Sequence, residues 1–163
     1  MYDETFMKRA LALSAQALTT PGSEPFGAVV VQDGRVVGEG FNHSVAHFDP
    51  TSHGEVEAIR DACRQLETLD LSDCDIYSSC EPCAMCVAAM HVAGIRRLFY
   101  AATLSQSGAA FEGVPVAARR PIDVQALRLA AGATLDEGLT PSEQHLAEDA
   151  MAVLQAWAQP RRP

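Results

Sequence analysis

Basic residues are scarce in this chain of 163 residues. Lysine and arginine together number 12, against 21 aspartates and glutamates, so the formal net charge is −9, and Lys8 is the single lysine. Proteins that bind nucleic acid through its phosphates carry a basic surface. The shortage of positive charge therefore argues against nucleic acid or an anionic membrane surface as the partner.

Long apolar runs are also lacking. No stretch approaches the roughly 18 residues of a membrane-spanning helix, and residues 1–4 are acidic where a secretory signal is basic and then apolar. These absences predict a cytoplasmic protein with no membrane partner. In a reducing compartment, the five cysteines are expected to serve metal or redox chemistry instead of forming disulfides.

Signs of a domain boundary are missing too. No internal repeat, low-complexity tract or linker precedes the last few residues, and the length suits one domain. With 48% hydrophobic and 20% charged residues, the chain can bury a core without disulfides. We therefore predict a single domain over residues 1–163.

Hydrophobic periodicity predicts alternating helices and strands. The predicted helices are 5–18, 55–66, 82–93, 124–131 and 142–157, and the predicted strands are 26–31, 35–41, 75–79, 97–102 and 133–136. The helix at 82–93 is small and apolar all round, which is typical of a buried helix, and 103–121 is expected to be irregular. The alternation predicts an α/β domain with helices on both faces of a mixed sheet.

Residues with chemical function are concentrated in two short segments, the first at 51–55 and the second at 79–86. Both segments lie where a loop or strand leads into a helix. The second contains Cys83 and Cys86, three residues apart after Pro82, so both thiols share the first helical turn. A helix N-terminus favours thiolates, and His53 in the first segment offers a neutral third ligand. Three protein ligands leave one tetrahedral position for water, as a catalytic zinc site requires.

Glu55 lies two residues beyond His53, near enough to reach that water without binding the metal. A carboxylate placed there can accept a proton from water and deliver it to a substrate. His-x-Glu followed about thirty residues later by Pro-Cys-x-x-Cys is a known signature of zinc nucleobase deaminases. Glu55 is therefore the candidate catalytic residue.

Two other interpretations remain open for the same residues. Cys80 as a fourth ligand would make a closed structural zinc site, although this leaves the His-x-Glu spacing unexplained, and a buried thiol at a strand end is the expected state of Cys80. A zinc-stabilised binding module without activity is the second alternative. Glu57 is expected to be a solvated helix residue.

Several motifs between residues 3 and 102 carry a resemblance to a known superfamily. They are Glu4-Thr5-Phe6, Pro25-Phe26-Gly27-Ala28-Val29-Val30-Val31, Asp49-Pro50-Thr51, His53-Gly54-Glu55, Ala58-Ile59-Arg60, Ser79-Cys80-Glu81-Pro82-Cys83-Ala84-Met85-Cys86 and Phe99-Tyr100-Ala101-Ala102. The chain resembles the cytidine deaminase-like superfamily in its purine-deaminating branch. It is similar to bacterial guanine deaminases, and tRNA adenosine deaminases form the sister family.

The resemblance implies a three-layer α/β/α sandwich with a central mixed sheet, one Zn²⁺ per chain and a homodimer. It implies that Asn42 helps to hold the base and that Phe26 lines the pocket. Gly54 stands where the family usually has alanine, and Glu112 lies where relatives place a second acidic group near the substrate. These four residues are the candidate substrate-binding residues.

The implied reaction is hydrolytic deamination of a free purine base or a related amino-heterocycle, with guanine giving xanthine and ammonia in purine metabolism. Deamination of adenosine to inosine in tRNA is the alternative that keeps the same chemistry. Another nucleobase or nucleoside, such as guanosine or cytosine, also remains open as the substrate. The net charge of −9 favours the free base over RNA.

Overall fold

The computed structural model describes residues 1–114, 123–133 and 142–159 of the chain. The chain divides into two compact units, Met1–Ala131 and Gly132–Pro163. Of the strand expected at 133–136, residues 134–136 lie outside the described residues, and the single domain over 1–163 stays a prediction. Within the described ranges, no helix is long and apolar enough to cross a membrane.

The described elements follow the predicted alternation of helices and strands. The helices are α1 (Glu4–Ala15), α2 (Gly54–Leu66), α3 (Ala84–Ala93), α4 (Leu104–Ala110), α5 (Val124–Gly132) and α6 (Ala147–Ala158), with a short 3₁₀ helix, Gln16–Leu18, after α1. The strands are β1 (Glu24–Gln32), β2 (Arg35–Asn42), β3 (Asp75–Cys80) and β4 (Arg97–Ala102).

The four described strands form one mixed sheet in the order β2-β1-β3-β4. β1 is antiparallel to both β2 and β3, whereas β3 and β4 are parallel. Asp33 and Gly34 join β1 to β2 with positive φ angles of 49° and 74°, which Asp-Gly adopts in tight hairpins. The mixed sheet predicted from the sequence is confirmed.

Helices cover both faces of this sheet. Ala28 and Val30 of β1 pack into the cluster that includes residues of α2 and α3. Val29 and Val31, which point the other way along the pleat, pack against α1. The three-layer α/β/α arrangement is therefore confirmed, with α2 and α3 side by side on one face.

Two glycines of β2 bring α2 unusually close to the sheet. A Cβ atom at Gly38 would lie 2.4 Å from the carbonyl oxygen of Ala58, and one at Gly40 would lie 2.5 Å from the amide nitrogen of the same residue. Real side chains do not tolerate such distances, so the close approach requires glycine here. The start of α2 is thereby held against the sheet, and His53 lies there.

The helix predicted at 82–93 differs from the structure in two ways. It begins at Ala84, because Cys83 has an extended backbone and acts as the N-cap, so Pro82 lies outside the helix. It is also not buried all round, since its buried residues are Cys86, Met90 and Ala93. An apolar pattern without a polar stripe does not reveal which side a neighbour covers.

Two further boundaries differ from the predictions. The stretch 103–121 was expected to be irregular, but α4 occupies part of it, and Thr103 and Gln106 form a capping box at its start. The helix expected at 142–157 begins only at Ala147, because Leu146 has a left-handed backbone with φ of 55°. The Thr-x-x-Gln spacing was the overlooked signal for α4.

Candidate metal centre and active site

The loop before α2 is braced so that it delivers His53 to the start of the helix. The amide and hydroxyl groups of Thr51 both donate to Asp49 Oδ1, at 2.8 and 2.7 Å. Arg60 donates to Thr51 and, at 2.6 Å, to Glu57. His53 is the N-cap of α2 and has an extended backbone. Its side chain is therefore placed at the junction between the loop that follows β2 and the helix.

The second segment leaves β3 and enters α3 within three residues. The amide of Glu81 donates to Ala102 O on β4 at 2.7 Å, which anchors the segment to the sheet edge. Cys83 then caps α3 and Cys86 lies in its first turn. As the spacing predicted, the two Sγ atoms lie 3.6 Å apart.

The structure brings His53, Cys83 and Cys86 together into one compact group of potential metal ligands. His53 Nδ1 lies 3.7 Å from Cys83 Sγ and 3.5 Å from Cys86 Sγ. A tetrahedral zinc site with Zn–S of about 2.3 Å and Zn–N of about 2.0 Å has S–S edges of about 3.8 Å and S–N edges of about 3.5 Å. All three separations fit one tetrahedral face, so these residues fit zinc.

The two thiols are electrostatically coupled. Their mutual hydrogen bond lowers the pKa of Cys83, with further lowering by His53, and raises the pKa of Cys86, where burial and the nearby Glu55 carboxyl add to the effect. The first thiol proton is therefore lost easily and the second is retained. A divalent cation bound at this point removes that obstacle, because thiols that coordinate a metal are deprotonated.

Glu55 lies beside this group without belonging to it. Its side chain is buried, with the residue 5% exposed, and burial raises the pKa of its carboxyl. Oε2 lies 3.4 Å from Cys86 Sγ, and Oε1 accepts a hydrogen bond from Ser78 Oγ at 3.2 Å. A carboxyl with a raised pKa next to a metal site is suited to carry protons.

Cys80 lies apart from the group of three. Its thiol is buried at the end of β3 and contacts the carbonyl oxygen of Thr103 at 3.9 Å. Burial raises its pKa, which keeps the thiol protonated. The geometry therefore matches an open three-ligand site and offers no support for Cys80 as a fourth ligand.

Asn42 ends β2 close to His53. The amide of His43 donates to Ser52 O at 3.0 Å, which ties the end of the strand to the residue before His53. Asn42 Oδ1 accepts from the amide of Ser44 at 2.9 Å. Its Nδ2 is buried and has no hydrogen-bond acceptor among the described residues, so Asn42 retains a donor for a ligand.

Of the other candidate substrate-binding residues, Gly54 and Phe26 are neighbours at the start of α2, whereas Glu112 lies on an exposed turn. Gly54 abuts β1, where a Cβ would lie 2.5 Å from the carbonyl oxygen of Phe26, so the first residue of α2 and Phe26 are neighbours. Phe26 also meets Phe111 edge to face, with ring centroids 5.8 Å apart. Glu112 is exposed in the turn after α4, and its described contacts do not join it to the ligand group.

Several residues at the site carried no predicted role. Leu127 of α5 packs against the cluster of Val56, Cys83 and Cys86, and Arg128 donates to Glu81 Oε1 at 3.0 Å. Glu57 was expected to be solvated, but it is only partly exposed and accepts hydrogen bonds from Ser52 and Arg60. The i,i+3 spacing of Glu57 and Arg60 was the available signal.

Ser78 is the remaining unpredicted residue at the site. Its sequence signal is a hydroxyl in a strand that is otherwise buried on both faces. Such a group needs a partner within the protein.

Residues 1–102 match the family model described as the cytidine and deoxycytidylate deaminase zinc-binding region. The guanine deaminase of Bacillus subtilis is 47% identical over 102 residues, which cover 63% of this chain and 65% of that protein. The tRNA-specific adenosine deaminase of Haemophilus influenzae is 38% identical over 109 residues, which cover 66% of this chain and 62% of that protein. The matched part thus spans less than two thirds of either relative.

A solved structure extends the likeness beyond the family model. The X-ray structure of guanine deaminase from Bacillus subtilis matches this chain with a TM-score of 0.82 at 35% identity, covering 98% of this chain and 95% of that one. The match confirms that the mixed sheet and its helices form the deaminase fold.

Proposed function

The chain belongs to the family of cytidine and deoxycytidylate deaminases defined by their zinc-binding region, and we propose that it is a zinc-dependent hydrolytic deaminase that converts guanine to xanthine and ammonia. The observation that carries this proposal is the open group of His53, Cys83 and Cys86 with the buried Glu55 beside it. The whole chain, 1–163, acts as one deaminase domain in this proposal.

Guanine is preferred because two independent features favour a free base. The guanine deaminase of Bacillus subtilis is more similar in sequence than the tRNA-specific relative, at 47% against 38% identity. The net charge of −9 disfavours a protein that must track a phosphate backbone. A small neutral base needs no such surface.

One Zn²⁺ per chain is held by His53, Cys83 and Cys86 in this proposal. When bound, the metal supplies a water that is activated for attack near neutral pH. Three protein ligands suit this role, because a fourth would close the site.

The residues of the chain account for the remaining needs of the reaction. Attack of water at C2 of guanine forms a C–O bond, and the bond from C2 to the exocyclic amine breaks. Glu55 takes one proton from the water and passes it to the adjacent ring nitrogen. It then takes the second proton from the hydroxyl group added at C2 and gives it to the leaving amine, so that ammonia departs and a carbonyl group remains at C2. Asn42 donates its free Nδ2 to the base edge, while Phe26, Gly54 and Glu112 complete the substrate contacts.

A substrate panel tests the proposal. We expect the zinc-loaded protein to release ammonia from guanine, and to act poorly on guanosine, adenine, cytosine, cytidine and an anticodon stem-loop RNA. In Glu55→Gln, which keeps the shape of the side chain, zinc should be retained while turnover falls by roughly 10²-fold or more.

Three outcomes contradict the proposal or part of it. Inosine formation in the stem-loop without guanine turnover identifies a tRNA adenosine deaminase. Full zinc with no turnover of any substrate in the panel identifies a zinc-stabilised binding module. A loss of less than tenfold in Glu55→Gln assigns the proton transfer to another group.

We also propose that the protein is a cytoplasmic homodimer. Its five cysteines are free thiols, and a reducing compartment preserves thiols that bind metal. Support for the dimer comes from α3, which carries no charged Asp, Glu, Lys or Arg residue, yet exposes Val87 and Val92. In this proposal, a second copy of the chain packs against this apolar face.

A further inference from the structure

The two carboxyl oxygens of Glu55 have different surroundings. Oε1 accepts a hydrogen bond from Ser78 Oγ at 3.2 Å, whereas Oε2 lies 3.4 Å from Cys86 Sγ, on the side of the ligand group. Both residues are buried, with Glu55 5% and Ser78 2% exposed. One oxygen is therefore held by the sheet, and the other faces the metal site.

The pleat of β3 explains why Ser78 reaches Glu55. Ile76 packs into the cluster with α2 and α3, and Tyr77 packs against α1. Ser78 consequently points to the α2 side, since alternate residues share a face. Its neighbours across the strands are Ala28 on β1 and Tyr100 on β4.

A serine in this position needs a polar partner. A buried hydroxyl without a hydrogen bond costs free energy, so buried polar groups in folded proteins are paired. The described hydrogen bond of the Ser78 hydroxyl goes to the Glu55 carboxyl. The separation of 3.2 Å is long for a hydroxyl donor, and such bonds often tighten when a substrate is bound.

We propose that Ser78 is a positioning residue that fixes the orientation of the Glu55 carboxyl, so that Oε2 faces the activated water and the base. The inference rests on the proposed deaminase activity. Without this bond Oε1 loses its anchor to the sheet, and the terminal torsion of the carboxyl, which is broad for glutamate, is left to the contacts with Cys86 Sγ and with the Glu55 amide. The Glu55 carboxyl is then aligned with the bound base for a smaller fraction of the time, and a misplacement of this kind lowers turnover strongly.

The first test replaces Ser78 with alanine. We expect kcat for guanine in Ser78→Ala to fall about tenfold or more, the rate ratio expected when a hydrogen bond to a charged group is lost. KM should stay within about twofold and zinc at one per chain, because Ser78 contacts neither base nor metal in the proposal. The affinity for 8-azaguanine, an analogue of guanine, reports binding without turnover; measured by calorimetry, it should be unchanged.

A matched pair separates the hydroxyl from the shape of the side chain. Ser78→Thr and Ser78→Val have the same volume but differ in the hydroxyl group, so Thr should restore most of the kcat and Val should not. Both add the same methyl group, so a packing defect would affect them equally.

Ser79→Ala serves as a control on the other face of β3. Ser79 Oγ accepts a hydrogen bond from the Gly27 amide, so Ser79→Ala should lower the melting temperature while kcat stays within about twofold.

The outcomes distinguish the two proposals. If the unaltered protein does not deaminate guanine, the proposed function fails. If it does, but Ser78→Ala retains kcat within twofold, or Thr and Val behave alike, the role of Ser78 is overturned. An equal fall in kcat for Ser79→Ala assigns the effect to the strand as a whole and also overturns it.

Discussion

Among the five cysteines, Cys80 decides between an open and a closed metal site. It lies only three residues before Cys83, yet its thiol is buried against the carbonyl oxygen of Thr103. Burial raises its pKa, which favours the protonated thiol over the thiolate that binds metals. Cys80 is thus a packing residue at the end of β3.

Substitution of single cysteines tests this assignment. Cys80→Ala should retain one zinc per chain after dialysis against a weak chelator, whereas Cys86→Ala should lose it, because two protein ligands hold zinc far less tightly than three. Metal analysis of the two purified variants gives the comparison. Loss of zinc from Cys80→Ala at the same rate as from Cys86→Ala would restore the four-ligand structural site.

Residue spacing explains which members of the site were predictable. Cys83 and Cys86 are three residues apart at the start of α3, and His53 and Glu55 are two residues apart at the start of α2, so local spacing brings each pair together. Ser78 and Arg128 meet the site only through strand register and through the placement of α5. Their partners lie 23 and 47 residues away in the sequence, so the sequence does not reveal these pairings and the folded chain was needed to find them.

At the scale of elements, β3 and β4 are joined by an ion-pair cluster at the end of the sheet away from the ligands. Asp75, at the start of β3, accepts from Arg97 Nε and a terminal nitrogen at 2.9 and 2.6 Å, and from Arg96 at 3.1 Å. Burial alone would raise the pKa of Asp75, but the hydrogen bonds and charges of both arginines outweigh it and hold that pKa below its usual value.

Asp75→Asn should therefore destabilise the protein in a pH-dependent way. A carboxyl with a lowered folded-state pKa contributes stability that is complete above its unfolded pKa of about 4 and is lost as the pH falls through the folded value. Both arginines are partly exposed, so we expect a cost of about 1–3 kcal/mol at pH 7.

Urea unfolding of the zinc-free protein and variant, at pH 7 and near pH 3, measures this cost. The difference between the two proteins should shrink at the lower pH. A difference that is constant between the two pH values would mean that the charge of Asp75 does not stabilise the sheet.

Elements with strong local signals were the predictable ones. The Asp33-Gly34 turn fixed the hairpin, and the periodicity of α2 located it to within one residue. α4 was missed because its sequence is short and rich in small residues, so only its capping box marks it. The exposure of α3 was also not predictable, since an apolar helix has no polar face that shows which side solvent covers.

At the scale of the whole molecule, the excess negative charge and the apolar face of α3 have opposite effects on dimer formation. A net charge of −9 disfavours association of two copies, because the like-charged copies repel each other. The face of α3 formed by Val87, Ala88, His91 and Val92 has no acidic residue, and Val92 is 88% exposed. A dimer formed through this face buries apolar surface without bringing carboxylates together.

A charge placed on this face should separate the dimer. In Val92→Glu, burial of a carboxylate against the second copy costs free energy that no partner offsets, so light scattering should show a shift from dimer towards monomer at equal concentration. Leu18→Glu is the matched control, because Leu18 is 83% exposed in the short helix after α1, and it should remain dimeric. A monomeric unaltered protein contradicts the dimer, and an unshifted Val92→Glu dimer places its interface elsewhere than α3.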